Sequence, residues 1–144
     1  MSEDQAIIFP RSPLERMNGW RHLPRLVDKI RLNESGRLGA DYLGNLLVKG
    51  FDRQWLDAAG IEGEALVKVV KASLTDGEVC DWVARNVRKA EGEKERFNEF
   101  LSNFGREGEE LRKRLQERKV EVGMGDRGDI QCFVDLIDAE EGRI

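Results

Sequence analysis

Between Arg25 and Arg31 the chain places two arginines, a lysine and one aspartate: Arg25, Asp28, Lys29 and Arg31. Guanidinium forks match the paired oxygens of a carboxylate or phosphate, so this grouping is suited to holding an anion. On a helix, Arg25 and Asp28 stand three apart and can pair, and Arg31, three further on, can approach the same carboxylate. Arg25 and Arg31 then flank Asp28 from opposite turns and leave a gap above it. Arg11 adds a cation upstream. Tyr42, the only tyrosine, follows in a glycine-rich stretch from which its hydroxyl can cover the cluster. The candidate binding residues are therefore Arg11, Arg25, Asp28, Lys29, Arg31 and Tyr42. The same residues also read as an internal ion-pair network reaching Glu140 and Glu141. That reading is the better match, because structural networks gather charge as sites do.

Charge is unevenly spread. Arg11 to Arg31 holds six cations against Glu15 and Asp28, a net of +4, whereas Val120 to Ile144 holds seven carboxylates against Arg127 and Arg143, a net of −5. The two ends are expected to meet within the chain. The whole sequence carries −4, which argues against a general nucleic-acid binder.

Other chemistries find less support. His22 is the only histidine, and with no nucleophile in a fitting context it reads as a partly buried or surface side chain before a catalytic base. Cys80, Cys132 and His22 lack metal-ligand spacing, so no metal or other cofactor is expected. Gly123-Met124-Gly125-Asp126-Arg127-Gly128 matches a dinucleotide-binding pattern but lacks the flanking strands and long helix that give the pattern meaning, and reads as a loop. Arg127-Gly128-Asp129 reads as a chance tripeptide. No residue is assigned a catalytic role. With no export signal and no apolar run of membrane length, the protein is expected to be cytoplasmic, with reduced cysteines and no membrane contact.

The elements that must carry these residues are helices. Ser12-Pro13-Leu14-Glu15 reads as a capping box opening a short helix that Gly19 interrupts. A second helix is expected to start near Trp20, with Pro24 harmless in its first turn, and to stop at Gly36. Residues 36–50 read as loop with a short helical turn near Leu43. Helices follow over 51–59, 62–73, 76 to about 90 and 93–104, the third of them opened by the Thr75–Glu78 box and turning Val79, Trp82, Val83 and Val87 inward. Residues 107–119 carry only Leu111 and Leu115 as large apolar side chains and predict a thin helix. Ile130 to Ile137 forms a last apolar cluster. No segment alternates with a period of two. The fold class is mostly α, a single compact domain over 1–144 with five to seven short helices, and not a regular four-helix bundle. An N-terminal tail spans 1–8, and an acidic segment over 120–144 docks back on the domain.

Pro10-Arg11-Ser12-Pro13, Gly19-Trp20, Leu23-Pro24-Arg25, Asp28-Lys29-x-Arg31, Gly39 to Tyr42, Asp76-Gly77-Glu78-Val79 with Trp82, Asp135-Leu136-Ile137-Asp138 and Glu140-Glu141-Gly142-Arg143 together resemble a family of small uncharacterised bacterial proteins, defined as a domain of unknown function. The resemblance spans nearly the whole chain. It implies a mainly helical cytoplasmic protein and brings no activity, cofactor or catalytic residue. The function expected is a non-catalytic binding or interaction module for a small anionic ligand or a protein partner. The alternative is an enzyme acting on a small anionic metabolite, with the cations as clamps and Lys29, Asp28 or Tyr42 as acid or base.

Overall fold

A computed structural model describes residues 8–144, so the tail expected over 1–8 lies almost wholly outside the described residues. A two-stranded antiparallel hairpin, β1 (Arg16–Met17) and β2 (Trp20–Arg21), precedes eight helices among the described residues. They are α1 (Leu23–Glu34), α2 (Ala40–Leu43), α3 (Gly50–Ala59), α4 (Gly63–Ala72), α5 (Asp76–Asn86), α6 (Glu91–Asn103), α7 (Glu109–Glu121) and α8 (Phe133–Glu140). The architecture is mostly helical, with one helix more than the upper end of the expected range.

The hairpin replaces the helix expected at Ser12. Asn18 and Gly19 both take positive φ, 53° and 80°, the conformation of the two-residue turn that an Asn-Gly pair favours. Ser12 does not cap a helix. Its backbone carbonyl accepts from Glu15 N at 3.1 Å, and its hydroxyl accepts from Leu14 N while donating to Asp138 Oδ2 at 2.9 Å. A hydroxyl bonded to nearby backbone in this way offers the chain a turn in place of a helix. The hairpin lies on α6, whose Lys94 donates to Asn18 O at 2.8 Å and whose Asn98 donates to Gly19 O at 2.9 Å. Asn98 Oδ1 in turn accepts from Arg21 N at 2.8 Å.

The core forms where α1 packs on α4 and α6 packs on the hairpin, α3 and α8. Trp20 and Trp55 are fully buried and meet edge to face at 5.7 Å, with Phe97 on the other side of Trp20 at 5.8 Å. Aromatic pairs in this geometry contribute about 0.5–1.5 kcal/mol beyond their buried area. Phe100, Phe104 and Phe133 extend the aromatic row towards α8. At Gly105 a Cβ would stand 2.7 Å from the Phe133 ring, with φ at +99°, so glycine is required where α8 closes on the end of α6.

Helix α5 differs from the sequence reading in detail, whereas α7 follows it. On α5, Val79 and Val83 are buried and Arg85 is exposed, as is Arg88 just past the helix, but Trp82 is only half-buried against the core. The inward stripe is narrower than four residues, and Trp82 sits on its edge. Helix α7 is thin as expected: Leu115 is buried with Ile130, Leu136 and Ala139 in a satellite cluster, whereas Val120 is 61% exposed. The glycine pattern over 123–128 lies in the connection from α7 to α8. Among the described residues, no helix is long and apolar enough to cross a membrane. Both cysteines are free.

Candidate functional site

His22 joins the hairpin to α1. Its backbone is left-handed, φ 75°, a conformation costing a residue with a Cβ roughly 1–2 kcal/mol. Two backbone hydrogen bonds hold it there, from His22 N to Pro13 O at 2.8 Å and from Leu26 N to His22 O at 3.0 Å. Pro24 then fits in the first turn of α1, as its lack of an N–H requires. The imidazole that this bend carries is buried, 2% exposed, and stands edge-on to Phe51 at 5.9 Å.

Asp52 comes to His22 from the first turn of α3, where the helix dipole favours a carboxylate. Its Oδ1 lies 2.7 Å from His22 Nε2, and its Oδ2 accepts from Lys29 Nζ at 2.8 Å and from Leu47 N at 3.0 Å. All three side chains are buried. Burial by itself would raise the Asp52 carboxyl, but the hydrogen bonds from His22 and Lys29 and the Lys29 charge outweigh it and hold the group below the ordinary carboxylate range. Burial lowers the His22 imidazole below its ordinary value, against the pull of Asp52. The neutral ring therefore donates from Nε2 to the carboxylate, which leaves Nδ1 as a bare acceptor. Nδ1 has no partner and is closed off from solvent. The other unpartnered buried side-chain atoms among the described residues, on Trp20, Arg21, Arg31 and Trp55, are all donors.

A second polar group lies one turn away on α1. Arg25 makes a two-pronged pair with Glu141, Nη1 to Oε1 at 2.9 Å and Nη2 to Oε2 at 2.8 Å, with both side chains buried. This is the contact expected between the basic helix and the acidic tail. Tyr42 donates to Glu141 Oε2 at 2.7 Å, and Arg25 stands over its ring at 5.6 Å. Burial and the Glu141 charge push the Tyr42 hydroxyl above its ordinary range, so it remains a donor. Arg143 ties Glu141 to Asp138, at 2.6 and 2.9 Å, and also donates to Pro10 O.

These two groups line a cleft of about 290 Å³ between α1, α2, α3 and the end of α8. Lys49, Arg118, Asp41 and Glu140 also line it, together with Phe9 and Phe51. Arg118 is shared between Glu121 at 3.2 Å and Glu140 at 3.6 Å, whereas Lys49, which is exposed, has no carboxylate within salt-bridge reach among the described residues. A larger groove of about 810 Å³ along α4 is lined by Leu47, Val48, Val67 and exposed charged side chains. It contains no buried polar group to orient a ligand, so the smaller cleft is the better-built site.

The structure divides the six residues singled out in the sequence. Arg25, Lys29 and Tyr42 line the cleft. Arg11, Asp28 and Arg31 form a separate cluster with Asp76: Arg11 grips Asp28 through Nε at 2.9 Å and Nη2 at 3.0 Å, and reaches Asp76 at 2.8 Å, while Arg31 reaches Asp76 at 2.6 Å. The expected arrangement, Arg25 and Arg31 on either side of Asp28, does not form. Carboxylates from distant segments give each arginine a better partner than a helical neighbour does. His22 and Asp52 are the residues that sequence reasoning missed. They stand thirty apart, so no local spacing joins them, and only the isolation of a single histidine marked the position.

The chain belongs to the family described as a domain of unknown function, DUF5069, whose sequence model matches residues 7–143. A comparison with curated proteins found no match. Family membership supplies no activity, and the cleft has to be read from its own chemistry.

Proposed function

We propose that the protein is a binding module for a small organic anion, held in the cleft between α1, α2, α3 and α8. The observation that carries this reading is the state of the cleft's cations. Arg25 and Lys29, deep in the cleft, are each neutralised by a buried carboxylate, whereas Lys49 at the rim has no such partner among the described residues. An anionic group entering the cleft meets, alongside Asp41 and Glu140, a rim cation that no carboxylate among the described residues reaches. The buried pairs below it hold the walls in place and so reduce the ordering cost of binding. The enzyme reading based on Asp28, Lys29 or Tyr42 loses support here. Asp28 is gripped by Arg11, Lys29 by Asp52, and Tyr42 is a donor to Glu141.

Acetate, the smallest organic carboxylate, is the probe. Titrated into the protein and followed by amide chemical shifts, it is expected to bind saturably at residues of α1, α2 and the start of α3, and more weakly as salt is raised. Lys49→Gln, a change at an exposed side chain, is expected to weaken binding several-fold while leaving the melting temperature of the free protein unchanged. Shifts that never saturate, or equal binding by Lys49→Gln, would overturn the proposal.

A further inference from the structure

The three donors on Asp52 leave one polar atom of the buried centre unserved. His22 Nε2 is committed to Asp52 Oδ1 at 2.7 Å, which fixes the ring's orientation and tautomer. Lys29 Nζ and Leu47 N occupy Oδ2, so the carboxylate has no reason to release the imidazole. Nδ1 could serve as the side-chain cap of α1, since His22 is that helix's N-cap, yet it makes no capping hydrogen bond. A left-handed bend, a buried ion pair and an aromatic edge from Phe51 together hold a shielded acceptor lone pair with nothing to accept from, on a residue that lines the cleft.

We propose that His22 Nδ1 selects the ligand: the cleft takes a small acid that carries an O–H or N–H donor beside its anionic group, and this lone pair receives the donor. This rests on the anion-binding reading above and names the class within it, α-hydroxy and α-amino acids. Lys49 takes the carboxylate at the rim, and the donor on the adjacent carbon turns inward to the ring. Because Nδ1 is already stripped of water in the free protein, a ligand donor gains a hydrogen bond there without removing solvent from the acceptor. The shielding also means that the ligand must displace a lining side chain as it enters. An acid lacking the donor fills the same space and leaves the nitrogen unpartnered. Such a ligand forgoes that one hydrogen bond.

The chain has a single histidine, so the ¹⁵N spectrum of its imidazole reports on this ring alone. In the free protein near neutral pH it is expected to show a protonated Nε2 and an unprotonated Nδ1. Glycolate and acetate, which differ by one hydroxyl, are then titrated in parallel. Glycolate is expected to bind roughly five- to tenfold more tightly, the worth of one hydrogen bond, and to move the Nδ1 resonance where acetate does not. Lys49→Gln is expected to weaken both acids and preserve their ratio. A proton on Nδ1 in the free protein, or equal affinity for the two acids, would overturn the selection by His22 and leave anion binding standing. Failure of both acids to bind would overturn the anion reading itself, and this inference with it.

Discussion

Two ion-pair groups sit on neighbouring faces of one helix, and they are built from the same residue types with opposite physical consequences. The outer group, Arg11–Asp28–Asp76–Arg31, is a third or so exposed, with short, well-aligned contacts of 2.6 to 3.0 Å. The inner group, His22–Asp52–Lys29, has comparable distances, but its members are all but sealed from water. Outside, water screens each pair and replaces any partner that is lost, so the contacts are worth little. Inside, no such replacement exists. Distance is nearly constant between the two groups, and burial decides what each contact is worth.

The sharpest way to break this comparison is to remove the centre of the inner group. Asp52→Ala leaves the Lys29 ammonium buried without a counter-charge and His22 without its acceptor. The expected loss is about 3–5 kcal/mol of folding stability, the cost of stranding a buried charge, read from denaturant unfolding. A loss below about 1 kcal/mol would place the inner group in the same class as the outer one.

How much of this was legible in the sequence follows the same division. Helices α1 and α3 to α7 were readable because amphipathic spacing, glycine stops and the Thr75 box act locally; α2 was read as a helical turn near Leu43, and α8 only as an apolar cluster. The Thr75 box forms as expected, its hydroxyl accepting from Glu78 N. The Ser12 box has the same spacing of hydroxyl and glutamate and fails, because Asp138, 126 residues away, claims the Ser12 hydroxyl. The Asn18-Gly19 hairpin is a local signal that the helical expectation across Ser12 to Gly19 overrode. The charge imbalance between the ends correctly foretold that tail and helix touch, since Arg25 meets Glu141. It did not foretell which cations would share a cleft, because that depends on partners such as Asp52 and Asp76 brought in by tertiary packing. The division of Arg25, Lys29 and Tyr42 from Arg11, Asp28 and Arg31 was out of reach of spacing alone.

Acidity separates the two groups by pH window. His22 titrates below its ordinary value of 6.5 because burial disfavours the imidazolium, although Asp52 pulls the other way and Lys29 and Arg25 add repulsion. Below about pH 6.5 the unfolded chain takes up a proton that the folded chain refuses, so stability falls as pH drops. The slope for one proton is at most roughly 1.4 kcal/mol per pH unit. Asp76, held below its ordinary 3.8 by Arg11 and Arg31 against burial, keeps its contribution through this range and loses it only as pH falls further. Denaturant unfolding between pH 7.5 and 5 is therefore expected to show the inner group's loss, with the same slope in Asp76→Asn as in the wild type. A flat profile over that range, or a ring that titrates at or above 6.5 in the folded protein, would contradict the neutral His22.

The smallest effect belongs to the outer group itself, and it gives the comparison its lower bound. Asp76→Asn removes the carboxylate that Arg11 and Arg31 share. Arg11 keeps Asp28 through two side-chain hydrogen bonds and its backbone N–H, so it is not stranded. Arg31 loses its partner but remains a third exposed, and water can take the place of the carboxylate. Asp76 also lies in the first turn of α5, where a negative charge is mildly favourable. Exposed pairs of this kind contribute about 0.2–1 kcal/mol, so the total loss is expected to be about 1 kcal/mol or less at neutral pH, and smaller still in high salt. Thermal unfolding at two ionic strengths checks both parts. A salt-insensitive loss of several kcal/mol would mean that the outer cluster is as tightly sealed as His22, Asp52 and Lys29, and that burial does not distinguish the two faces of α1.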